Sequence, residues 1–159
     1  MTDPTFGEDV EGESLEDADK KPDLKMPKEM AEKEFESWAE QFRIDIDENE
    51  MDAEERQEFR QIKRRFVYCL TNGITSIAEN GDLSLKLIDS VGGKSEMIFR
   101  KKFKGSAFVF MDRYKDSQSV HKTFAFLAAW VQWDPKELTK LDSKDAWFGM
   151  KMVALFLGG

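Results

Sequence analysis

The spacing of apolar residues changes its period twice along the chain, and this limits the fold more than any other feature. Phe59, Ile62, Phe66, Leu70, Ile74 and Ile77 recur at intervals of three and four, which places them on one face of a helix. Asp52 and Glu55 stand where a capping box would open that helix. Gly73 costs about 1 kcal/mol relative to Ala inside a helix, so Asn72 and Gly73 offer an alternative end to it. After Glu79-Asn80-Gly81-Asp82 the period falls to two, with Leu83, Leu85 and Leu87 alternating against Ser84, Lys86 and Ile88. Gly92-Gly93 supplies a turn, and Met97, Phe99 and Phe103 share a side of a second extended run, so residues 83–103 predict a β-hairpin. Two strands alone are marginal and need a helix across one face.

Helical spacing then returns, in residues 106–114, 119–133 and 142–157. Asp134-Pro135 suits a helix start, because Asp caps the free N–H groups and Pro fits the first helical position. Asp142 caps the last helix, and Asp145 sits three residues on, near its positive end. That helix is apolar over much of its circumference (Trp147, Met150, Val153, Ala154, Phe156, Leu157), so it is buried or binds something. The expected class is α+β, mostly helical: a β-hairpin packed against a C-terminal helical bundle, preceded by an acidic disordered arm and N-terminal helices.

Charge divides the chain in two. Residues 1–55 carry 21 acidic and 6 basic side chains, a net −15, whereas residues 56–159 carry 11 acidic and 18 basic, a net +7. Residues 1–28 mix carboxylates with Gly, Ser and three of the four prolines, a composition that cannot bury enough surface to offset its ordering entropy. They are expected to form an acidic disordered arm. Residues 29–55 form an amphipathic helix and acidic linker, in which Phe35, Trp38 and Phe42 give an aromatic side able to dock on the body or on a partner. Residues 56–159 form the α+β body. An acidic arm on a basic body can fold back on it, screen it from nucleic acid or repel acidic partners, and salt weakens each effect.

Several motifs bear on chemistry. Asp45, Asp47 and Asn49 match the opening of a calcium loop, but Glu50 replaces its turn glycine and Arg56 its bidentate glutamate, so an acidic loop leading into a capping box is preferred and no metal is expected. The basic runs at residues 60–65 and 100–104 make Arg100, Lys101, Lys102 and Lys104 candidates for nucleic-acid contact, with the solvated faces of a helix and a hairpin arm as the plainer reading. Nucleic-acid binding is nonetheless expected to be secondary beside so acidic an arm. His121 is the sole histidine and Cys69 the sole cysteine, so neither a zinc site nor a nucleophile-and-base pair can be assembled. No phosphate-binding loop, dinucleotide fingerprint or nucleophile elbow occurs. The chain is therefore expected to be no enzyme and to need no cofactor. With one thiol, no signal-peptide pattern and no window near the roughly 20 apolar residues that span a bilayer, the expected location is cytoplasmic, without membrane contact.

The C-terminal third is rich in rings and methionines. It reads either as core or as a groove for helical ligands, whose lining would comprise Phe124, Leu127, Trp130, Val131, Phe148, Met152 and Phe156. Residues 81–159, about half the chain, resemble the tail assembly chaperones of long-tailed bacteriophages. The resemblance rests on a strand at Leu83 to Ile88, a second strand and basic stretch at Met97 to Lys104, helices near Phe108 to Tyr114 and ending in Trp133, the run Pro135-x-Glu137-Leu138-x-x-Leu141-Asp142-x-x-Asp145, and a terminal Phe156-Leu157. It implies a nonenzymatic factor of the host bacterial cytoplasm that binds the tape-measure protein and tail tube subunits and is absent from the finished particle. It also implies that a ribosomal frameshift near Leu157-Gly158-Gly159 can extend the chain. On this reading the acidic arm keeps the carrier soluble, and its helix, through Phe35, Trp38 and Phe42, competes for the groove. Self-association, a nucleic-acid-associated role through the two basic runs, and a structural subunit of the virion remain as alternatives.

Overall fold

The computed structural model describes residues 26–158, so all but the last three residues of the expected disordered arm lie outside the described residues. Helix α1 (Lys28–Gln41) is followed by a single 3-10 turn at Glu48–Glu50 and by α2 (Ala53–Thr71). Both halves of the α2 capping box form: the Asp52 carboxylate accepts the Glu55 N–H at 2.8 Å, and the Glu55 carboxylate accepts the Asp52 N–H at 2.9 Å.

The α2 helix stops earlier than its apolar stripe suggests. Gly73 takes a left-handed conformation (φ 73°), the Ile74 N–H turns back to the Cys69 carbonyl at 2.8 Å, and the chain leaves as strand β1 (Thr75–Ile77). Ile74 and Ile77 therefore depart from the helix that their spacing predicts. The β-branched run Ile74-Thr75 suits an extended chain, and pairing with the next strand is worth more than two further helical turns across a glycine.

The expected hairpin is accordingly two strands of a three-stranded antiparallel sheet in the order β1-β2-β3, with β2 at Leu83–Val91 and β3 at Lys94–Phe99. Thr75 pairs with Leu85 on one side of β2, while Leu83 faces Phe99 and Leu85 faces Met97 on the other. All four apolar residues point inward and are buried, as the period of two requires. Gly92 and Gly93, both at positive φ, close the β2–β3 turn. The ladder is irregular between Lys86 and Val91. There the Ile88 N–H is taken by the Asp145 carboxylate of the last helix, at 2.8 Å.

Four further helices follow the sheet, of which the second packs on β3: α3 (Ser106–Met111), α4 (Ser119–Val131), α5 (Pro135–Leu138) and α6 (Ser143–Gly158). Asp134 caps α5 through the Lys136 N–H at 2.9 Å, and Asp142 accepts the Lys144 N–H at the head of α6 at the same distance. Helices α4 and α6 cross closely at Gly149, where a Cβ would come within 2.7 Å of a Leu127 methyl. The structure is thus α+β and mostly helical.

Helix α1 is part of the same interior and not a separate appendage. Ala31, Phe35, Trp38 and Ala39 are buried, with the Phe35 and Trp38 rings 4.9 Å and 5.1 Å from that of Phe66 on α2. Burying rings of this size is worth about 1.5–3 kcal/mol each, which explains why an otherwise acidic helix stays down. Among the described residues, no helix is long and apolar enough to cross a membrane.

Candidate functional site

The residues expected to line an open groove are for the most part interior. Leu127, Trp130, Val131, Phe148 and Met152 are buried, and Phe124 and Phe156 are partly so. The chain fills the expected groove itself. Phe103 stacks on Trp130 at 5.2 Å, Phe99 meets the same ring edge-on at 5.2 Å, and Phe42 and Phe156 lie 6.0 Å and 5.5 Å from it. The Trp130 indole N–H donates to the Arg100 carbonyl at 2.7 Å, so its polar edge is also satisfied within the fold. These five side chains are support for a surface and not the surface.

The basic run at residues 100–104 is likewise split. Arg100 faces Asp82 at 3.7 Å, and Lys101 gives its backbone N–H to the same carboxylate at 2.9 Å while its side chain lies against Gly81. Lys102 and Lys104 alone are exposed, on either side of the partly buried Phe103. The four cations do not form one patch.

What Lys102 and Lys104 do border is a cleft of about 570 Å³ between α3 and α4. Its floor is small and apolar (Ala107, Ala125, Ala128, Ala129), Phe110 and Trp133 form its walls, and Arg113 adds a third cation to the rim. Outside the cleft lining α3 also presents Phe108, which meets Phe126 edge-on at 5.2 Å, and Val109 to solvent, 50% and 63% exposed, and the Arg113 guanidinium lies 5.3 Å over the Phe110 ring. Sequence reasoning placed helix α3 but assigned no role to these residues. The signal was present in Ala107-Phe108-Val109-Phe110-Met111, since a short helix apolar on every side cannot bury all of them against one neighbour.

The wall at Trp133 is fixed from the sheet. Lys94 on β3 reaches Glu137 on α5 at 2.8 Å, passing 4.9 Å over the Trp133 ring. Donation from Lys94 holds the Glu137 carboxyl below its ordinary pKa. The backbone bends into α5 through Gln132, which takes the left-handed region at φ 62°.

Asp45 and Asp47 use their carboxylates to accept the N–H groups of Asp47 and Asn49, at 2.9 Å and 3.0 Å, and the Arg56 guanidinium occupies the loop by donating to the Glu48 and Met51 carbonyls. Among the described residues no group of three or more His, Cys, Asp or Glu is placed to hold a metal ion. Cys69 is buried, and burial pushes its thiol up to about 11 against the pull of Arg65. His121 is exposed on α4, stacked 5.5 Å from Tyr114.

What the fold defines is an α+β body with an apolar, cation-rimmed cleft on its outer face. No family model matches the chain, and no curated protein or solved structure matches it.

Proposed function

We propose that this protein is a nonenzymatic assembly factor, of the kind its C-terminal half resembles, which holds an amphipathic helix of a tape-measure protein during phage tail assembly. The observation that carries the reading is the cleft between α3 and α4, with Phe108 and Val109 exposed on the same helix α3. Its alanine floor lets a helix approach closely, its aromatic walls accept an apolar stripe, and Lys102, Lys104 and Arg113 suit acidic residues flanking that stripe. The client therefore meets the outer face of α3 and α4, and the aromatic interior around Trp130 stays closed. Tail tube subunits, recruited alongside, use surface outside this cleft.

The test is calorimetric titration of the full chain with a helical peptide from the tape-measure protein. Binding is expected for the native chain and a loss of at least about tenfold, near 1.4 kcal/mol, for Phe110→Glu. Equal binding by both chains would refute the proposal. Single-stranded DNA competing for the cleft, with a steep salt dependence lost when Lys102 and Lys104 become Ala, would instead favour the nucleic-acid role.

A further inference from the structure

A second cationic surface, bearing two rings, lies where α2 meets α6. Helix α2 carries no carboxylate after Glu58, and Gln61, Arg64 and Tyr68 form an exposed stripe along it. Trp147 of α6 borders this stripe, and Tyr68 and Trp147 are 51% and 38% exposed. The Arg65 guanidinium lies 5.4 Å over the Tyr68 ring, so charge and exposed aromatic area are combined at one place.

The chain enters the described structure beside this stripe. Met26 donates its N–H to the carbonyl of Thr71, the last residue of α2 and one turn from Tyr68. Before Met26 stand 25 residues with nine carboxylates and three lysines, a net charge of −6. From Thr71 back to Arg64 is about 10 Å along the helix axis, a span that about four extended residues cover. The acidic run Glu11, Glu13, Glu16, Asp17 and Asp19, with Leu15 in its midst, is thus within reach along the chain.

We propose that this acidic run docks back on the patch formed by Gln61, Arg64, Arg65, Tyr68 and Trp147, with its carboxylates toward the guanidinium groups and Leu15 against the two rings. Charge complementarity and the point of chain entry choose this patch over the α3–α4 cleft, whose rim is also basic. Docking covers a cationic, ring-bearing surface of the kind that binds single-stranded nucleic acid, so the segment acts as a built-in competitor for polyanions. The inference concerns a different face from the client cleft and stands or falls separately from it.

The test uses the full chain without client. Cys69 is buried, so a nitroxide on Ser14→Cys labels one site, and its relaxation effect on backbone amides reports where the segment lies. Signals of residues 61–68 and 147 are expected to be broadened, and to recover when the Debye length falls from about 10 Å at 0.1 M salt to about 3 Å at 1 M. Gln61→Glu together with Arg64→Glu, both at exposed positions, is expected to abolish the broadening while leaving the amide spectrum of the core in place. Broadening centred on residues 102–113, or none above that of free spin label in solution, would overturn the proposal. An oligothymidylate that shifts residues 61–68 without relieving the broadening would also overturn it, by showing that nucleic acid and the segment do not share the patch.

Discussion

Helices α3 and α6 carry similarly apolar sequences but are buried to different extents, α6 exposing Trp147 and Leu157 among its large apolar side chains. Over its 16 residues α6 packs against α2 and α4, and Phe148, Met152, Val153 and Leu155 are all buried. Over its six residues α3 packs chiefly on α4, so Ala107 is buried while Phe108, Val109 and Phe110 face outward. Apolar density alone therefore does not separate interior from contact surface. The number of neighbours an element can reach does, and a short helix packed chiefly on one other helix reaches few.

The comparison breaks first at its buried end. Trp130→Ala removes a ring with no exposed area and the N–H bond to Arg100, and is expected to cost about 3–5 kcal/mol in denaturant unfolding. A cost no larger than that of a surface change would mean that the ring cluster is not the structural centre.

Asp145, on the sheet side of α6, comes next. It is 5% exposed and pairs with the Ile88 N–H; burial raises its pKa, with the Ile88 hydrogen bond pulling the other way. Asp145→Ala should cost about 1–3 kcal/mol by stranding that N–H, whereas Asp145→Asn keeps an acceptor and should cost far less. The sign of the pH effect follows from the raised value. The folded state holds the Asp145 proton more tightly than the unfolded chain, so this group's contribution to stability declines as pH rises from the ordinary carboxylate range through the raised folded pKa. Subtracting the pH–stability curve of Asp145→Asn from that of the native chain should display this decline, and a difference that grows with pH would contradict it.

At the exposed end, Val109→Asp should leave stability within about 0.5 kcal/mol while weakening client binding, as read by thermal unfolding and titration on one preparation. At Trp38 the expected effect is also small. Its indole N–H is buried without a partner among the described residues, so Trp38→Phe loses area but removes that donor, and a net change below about 1.5 kcal/mol is expected in the same unfolding assay.

Much of the fold was legible because local signals agreed. The capping box at Asp52 and Glu55, the alternation through Leu83 and Leu85, and the caps at Asp134 and Asp142 each act within a few residues, and each forms. The missed strand β1 depended on a choice between two partners that spacing cannot rank, since Ile74 and Ile77 fit the helical stripe and the sheet equally. The candidate surface was less legible for a related reason. Trp130 and Phe148 look in sequence like any groove lining, and only the arrival of Phe42, Phe66, Phe99 and Phe103 from distant segments closes them over. Asp145 does stand in the first turn of its own helix, but its carboxylate also accepts from a strand more than fifty residues away, which no local spacing signals.

Hydrogen exchange of the full chain with and without the tape-measure peptide tests most directly whether the client is held on the outer face. Slowed exchange confined to residues 106–113 and 125–133, with α1 and α6 unchanged, is the expected result. Faster exchange in α1 and α6 on adding the peptide would mean that the aromatic interior opens to receive the client, and would contradict it.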